Sequence, residues 1–316
     1  MSKGSGSKGS GSQGSGKNGG GKDGNGDWLK QGDGQRPRLS WSLSTDAPLV
    51  GLRLGRETGD VLAADASGGL YRIDRSGKFA NITRGPSPIR AIAWSDTGAR
   101  GIALVGDEKL YWFNGQLLFQ GWLEHSEQVL GLALEAYGTY AAVSLSNCTT
   151  HLYDANRKRV RSFNSLQPLV ALEFLINRPA LIGVAEYGLL CSYSFAGEQE
   201  WQQQLFGNVG DMAVTGDGRT ILLACYAHGI QCHDGSGRQV GSYQVGGTVQ
   251  RVSTGFQAGR IAATTVERHF YVIDSNGQVE FQAVLPDDAC RVICDPTGTG
   301  VVIGLTSGRI MRLDFV

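Results

Sequence analysis

The sequence predicts an all-β fold: seven four-stranded antiparallel blades closed into a ring, a seven-bladed β-propeller. Two observations carry the prediction. One pattern recurs in register every 40 residues: PLVGLRL at Pro48, PIRAIAW at Pro88, QVLGLAL at Gln128, PLVALEF at Pro168, NVGDMAV at Asn208, TVQRVST at Thr248 and DACRVIC at Asp288. A fixed period of this length marks stacked supersecondary units, and roughly 40 residues is the span of one four-stranded blade. Seven such periods account for all of residues 37–316 of the 316-residue chain.

The run just named is the first strand of each blade. A second apolar run follows it, as in DVLAADA from Asp60, RGIALVG from Arg100 and TILLACY from Thr220. A third reads GLYRID, KLYWFN, THLYD, LLCSYS, GIQCHD, HFYVID and RIMRLD. These runs are short, rich in β-branched and aromatic residues, and separated by Gly, Ser, Asp and Asn, so they read as strands joined by tight turns. None has the length or the 3.6-residue spacing of a helix. The third run ends in a polar column: Asp74, Asn114, Asp154, Ser194, Asp234, Asp274 and Asp314. Such side chains accept hydrogen bonds from the turn that follows. Gly77, Gly197, Gly237 and Gly277 stand three residues on, where a turn needs positive φ. The last repeat stops after its third run. The segment Arg38 to Leu43 (RLSWSL) supplies the missing fourth, because Trp41 falls in the column of Trp201 and Phe281. The N-terminal strand 38–43 is therefore expected to close the ring, leaving no long free edge.

Composition divides the chain in two. Residues 1–36 are predicted to be a disordered Gly/Ser/Lys-rich tail, since they hold no apolar run before Trp28 and Leu29 and cannot bury enough to order themselves. Residues 37–316 form a single propeller domain. Formal charge is zero overall, with six bases against three acids in the tail and a net −3 in the remainder. The tail is open to two roles, a solubilising leader or an electrostatic tether. The chain has no apolar h-region and no run long enough to span a membrane, so a cytoplasmic protein is expected. Six cysteines occur at irregular spacing, with no zinc-ligand interval. Cys225 and Cys232, with His228 in the turn between them, could approach in a hairpin; small packing residues are the plainer reading. No metal and no cofactor are expected.

The repeat resembles the WD40 and PQQ-like propeller superfamily over residues 37–316. The phrases LYRIDRSGK from Leu70 and FYVIDSNGQ from Phe270 look like PQQ-like repeats, while period and blade count look like WD40 proteins. No blade carries the terminal Trp-Asp of WD40 repeats; Tyr153-Asp154, Ile273-Asp274 and Leu313-Asp314 stand nearest. The Gly-x-x-x-Trp element of quinoprotein blades occurs once, from Gly197 to Trp201. Quinoproteins of this kind carry their ligands on inserted loops. The strict 40-residue spacing leaves no room for such loops, so quinone binding is not carried over.

Two constellations could bear function. Strand alternation points Arg53, Glu173, Asp211, Arg251 and Arg291 into the central channel. Three guanidinium groups there could take an anion; Asp211 and Glu173 pairing with Arg251 and Arg291 would instead make a neutral ring. The faces of the disc also differ. One, built from blade linkers and second-to-third turns, gathers carboxylates, with Glu124, Glu127, Glu186, Tyr187, Phe206 and Asp288 as candidates for docking a protein partner. The other gathers bases, most densely at Arg157, Lys158, Arg159 and Arg161. That run lacks the interleaved aromatics of a nucleic-acid surface. No nucleophile joins the channel charges, so no catalytic residue is assigned and a non-enzymatic monomeric platform is expected. The alternative is an anion-binding, PQQ-like and enzymatic propeller using Arg53, Arg251 and Arg291.

Overall fold

The computed structural model describes residues 26–315. Blade 1 is the meander Leu49–Leu54, Val61–Asp65, Gly69–Ile73 and Phe79–Arg84. Blades 2 to 6 repeat it over 89–124, 129–164, 169–204, 209–243 and 249–284. Blade 7 takes three strands from 289–314 and its outermost from Arg38–Ser44, which pairs antiparallel with Arg309–Asp314. The ring is thus closed by the N-terminal strand, as the Trp41 column requires. Asp314 helps to seal it: its carboxylate accepts from Arg38 and Ser40 across the closure.

The first strands line the axis. In all seven blades the first strand is shifted by one residue against the second, between Leu49 and Gly51 in blade 1 and at the equivalent place elsewhere. A bulge of this kind increases twist and re-aims the side chains beside it. It falls just before the positions that face the channel.

The core lies between blades, not within them. Seven apolar clusters form, each straddling two neighbours: Leu52, Ala63, Tyr71 and Ile310 join blades 7 and 1, and Ile102, Leu110, Leu132 and Val143 join blades 2 and 3. Stability is then approximately a sum of seven seam terms. The polar column behaves as turn chemistry. Asp74 Oδ1 accepts from the Ser76 and Lys78 amides at 2.8 and 3.0 Å, and Asp154, Asp234 and Asp274 repeat the arrangement. In six blades the residue three later has positive φ: glycine in four, but Leu117 (62°) and Arg157 (66°) in blades 2 and 3.

The expectation of a disordered tail through residue 36 needs correction. Its stretch 1–25 lies outside the described residues, but 27–34 are folded onto blade 6. Asp27–Lys30 forms one helical turn, and Asp33–Gly34 pairs with Gln282 and Phe281 as a fifth strand. Trp28 and Leu29 are buried in the seam of blades 6 and 7, with Trp28 edge-on to Phe270 at 6.4 Å. Gly32 permits this approach, since a Cβ there would lie 2.5 Å from the Phe281 ring. Two large apolar side chains outweigh the entropy of a short segment when a ready-made groove receives them. The segment also covers the outer edge of blade 6.

Candidate functional site

On the linker face, backbone hydrogen bonds tie each linker to the turn beside it. In blade 4, Leu205 N donates to Gly188 O at 2.6 Å and Val209 N to Glu186 O at 2.9 Å. Tyr187 and Phe206 therefore occupy adjoining turns, 67% and 86% exposed. Leu166 holds the equivalent linker position one blade earlier, 69% exposed, and Tyr226 the equivalent turn one blade later. Side chains of this size scattered singly on a surface need no explanation, but four in successive turns make an apolar arc.

The carboxylates of the same face are less available than their number suggests. Asp288 pairs with Arg268 at 2.6 Å, Asp107 with Arg90 at 3.0 Å, Asp46 with Arg84 at 3.1 Å and Glu124 with Lys109 at 3.6 Å. Glu267 accepts from the Thr248 amide and hydroxyl, and Asp287 from Ser307 and Thr306. The first of these sets lowers the Glu267 pKa to about 2. Of the docking candidates, Glu186, Tyr187 and Phe206 come together at blade 4. Glu124 and Glu127 flank the linker of blades 2 and 3, and Asp288 lies at the linker of blades 6 and 7. Glu127 and Glu186 have no ion-pair partner among the described residues.

The channel holds a cavity of about 240 Å³ lined by Arg53, Arg56, Asp96, Glu173, Asp211 and Arg291, among others. Its pairing differs from the expected ring. Arg291 does meet Asp211, at 2.7 Å. Glu173 pairs not with Arg251 but with Arg56, at 3.2 Å, and Arg56 also holds Asp96 at 2.8 Å. Arg251 is turned onto main-chain oxygens, Cys290 O at 3.0 Å and Gly210 O at 3.2 Å. That use satisfies its donors and removes it from any convergent anion site. Arg56 and Asp96 sit in first-to-second turns that fold back over the channel mouth, which strand alternation does not anticipate. They share one column of the repeat, 40 residues apart, and that complementary pair was the available signal.

Arg53 is left over. Its guanidinium donates to Leu52 O at 3.1 Å, and no carboxylate lies within ion-pair distance among the described residues. Burial, then repulsion from Arg291, pushes its pKa down to about 10, against the pull of Asp211 and Glu173. It remains a cation at neutral pH. Burial likewise pushes Glu173 above the ordinary carboxylate range, and Arg56 offsets this only in part. Four arginines face three carboxylates, so the channel carries one surplus positive charge, on Arg53.

All six cysteines are free. In the hairpin of blade 5, Cys225 pairs in register with Gly229 and Cys232 with Leu222, so the two thiols are not opposed. Among the described residues no three His, Cys, Asp or Glu side chains converge as a metal site, and no helix is long and apolar enough to cross a membrane.

No protein-family model matches the sequence, and no curated protein sequence matches it. Among solved structures, the chain is similar to the β-propeller domain of Cps50 (Swd1) from Myceliophteria thermophila, with a TM-score of 0.78 and 15% identity. The likeness covers 89% of this chain and 100% of that one. At that identity it speaks for the fold alone, and it bears out the β-propeller.

Proposed function

We propose that this chain is a non-enzymatic interaction platform that docks a protein partner on its linker face, centred on blade 4. The apolar arc of Leu166, Tyr187, Phe206 and Tyr226 carries the reading, with Glu186, which has no ion-pair partner among the described residues, at its edge. Exposed aromatic side chains beside a rim of charge are the usual anchors of protein interfaces. Six free cysteines fit a reducing compartment and so a cytoplasmic placement. A closed ring needs no second copy to fold. The test is co-purification on the full chain with mass spectrometry, comparing it with a Tyr187→Ser, Phe206→Asp variant. A stoichiometric partner lost in the variant at unchanged melting temperature supports the platform. A partner retained in full moves the interface elsewhere, and no stoichiometric partner at all removes the reading.

A second reading is favoured by one observation, the surplus charge of Arg53 against the channel cavity. It makes the channel an anion site, with Arg291 committed to Asp211 and Arg251 to the main chain. Loss of anion binding in Arg53→Met, with stability unchanged or raised, would support it.

A further inference from the structure

We propose that the seam between blades 2 and 3 is a binding site for a phosphoryl group, held by Arg157, Arg159 and the imidazole of His125. The seam opens into a cavity of about 350 Å³, remote from the channel and lined by His125, His151, Tyr153, Arg157, Arg159 and Glu124, among others. His125 lies in the linker after blade 2; the others except Glu124 come from the third and fourth strands of blade 3 and the turn between them.

Three observations converge. First, His125 is 8% exposed, yet its Nε2 has no hydrogen-bond partner. A buried ring nitrogen left unpaired is costly, and the His125 ring is among the groups that line the cavity. Its ring stacks on His151 at 5.8 Å and 17°, and His151 is in turn fixed by Nδ1 to Ser162 Oγ at 3.0 Å. Second, both guanidinium groups lack a carboxylate partner among the described residues. Arg157 donates to Gln120 O at 3.2 Å across the seam, which leaves most of its five donors open. Glu124, the one carboxylate at the cavity, is engaged by Lys109. Third, Arg157 holds a φ of 66° at the position where four other blades place glycine. A left-handed arginine in place of the repeat's own glycine is a strained choice, and it lays the guanidinium over Gly121 at the seam.

The chemistry selects the ligand. Two cations and no free anion repel a metal ion and attract an oxyanion. A carboxylate has two oxygens, which one guanidinium fork would satisfy. A phosphoryl group presents three oxygens in a tetrahedral spread, suited to two forks and an imidazole N–H at different depths. The groups facing His125 are His151, Tyr153, Arg159 and Glu124. Burial, with His151 and Arg159 adding to it, pushes the His125 pKa down to about 4, so the ring is neutral at physiological pH. A bound dianion would favour its protonated form.

The experiment is a titration of the full chain watched through the imidazole nitrogen and carbon-bound proton resonances of His125 and His151. Inorganic phosphate and phosphoserine are the probes, with acetate as the control. The expected result is a saturable shift of both residues with the phosphates and none with acetate. Tighter binding of phosphoserine would assign the group to a phosphorylated side chain; equal binding would assign it to the free anion. Arg157→Gly and Arg159→Gln restore residues that other blades carry, as at Gly197, Gln199 and Gln239, and so keep the fold. Together they should weaken binding by about tenfold per guanidinium. Absence of a saturable shift, or a shift unchanged in the double variant, would overturn the site.

Discussion

Two seams of the ring occupy the same four positions with opposite chemistry. Where blade 6 meets blade 7, those positions are Leu285, Met311, Leu313 and Leu39, the first three fully buried and the fourth packed against them. Where blade 2 meets blade 3, they are His125, His151, Tyr153 and Arg159. The first seam is closed further by Trp28 and Leu29. The second is open, with an orphaned ring nitrogen inside it. One repeat can evidently be built with either set, since the backbone pairing of blades 3 and 7 is the same. What differs is the use of the seam. Apolar residues there contribute to holding the ring together, whereas the polar set gives up part of that contribution and gains a place where a charged group can be held.

The largest expected effect lies in the closed seam. Phe281 is fully buried between Phe270 and Phe315, at ring separations of 6.3 and 6.4 Å. Phe281→Ala should lower unfolding free energy by about 3–5 kcal/mol, read from urea unfolding, because a large cavity would open beneath the Trp28 segment. A loss below 1 kcal/mol would mean that this seam carries little of the ring's stability.

The open seam should answer to pH instead. In the unfolded chain His125 titrates near 6.5; in the folded chain it does so near 4. The unfolded state therefore binds more protons between these values, and stability falls as pH drops from 6.5 to 4 while being fully present above that window. The full difference is on the order of 3 kcal/mol. It should disappear in His125→Leu, so the diagnostic is the difference between the two pH profiles of unfolding. A parallel pair of profiles would contradict the buried, neutral imidazole.

Grafting the closed chemistry into the open seam sharpens the comparison. His125→Leu with His151→Met imports the pair found at Leu285 and Met311. Removing an unpaired polar atom, at the loss of one hydrogen bond to the exposed Ser162, should stabilise the chain by about 1–2 kcal/mol at neutral pH. Calorimetry would show this as a higher Tm. A stabilised protein that no longer responds to phosphate is the expected combination.

How much of this was legible in the sequence depends on whether the 40-residue column or the contact across blades decides. The ring, its strands and its closure follow from columns, and Trp41 alone placed the last strand. The five channel charges were found by alternation, but their partners were not, because Arg56 and Asp96 reach the axis from turns. His125 and His151 are 26 residues apart and meet only when the linker of one blade lies against the third strand of the next. The signal was present as a departure: the two columns that hold Leu285 and Met311 hold histidine only at His125 and His151. Trp28 and Leu29 were visible as two apolar residues in a Gly-rich stretch, too few to predict a fold of their own. They are ordered by a groove between blades 6 and 7.

The smallest effect is the most specific. Leu117 and Arg157 share a left-handed φ at the turn where Gly77, Gly197, Gly237 and Gly277 stand. Leu117 is fully buried, and its side chain fills the seam of blades 1 and 2, so Leu117→Gly removes strain but also core and should destabilise. Arg157 is half-buried and contributes one hydrogen bond to Gln120 O. Arg157→Gly relieves a backbone conformation that disfavours a side chain by about 1 kcal/mol, against a contact worth about the same, so its unfolding free energy should stay within a few tenths of a kcal/mol of the parent. If both glycine variants lose stability equally, Arg157 is there for packing as Leu117 is. If only Leu117→Gly does, the arginine occupies a glycine position for a reason other than stability, and the oxyanion held at the open seam supplies it.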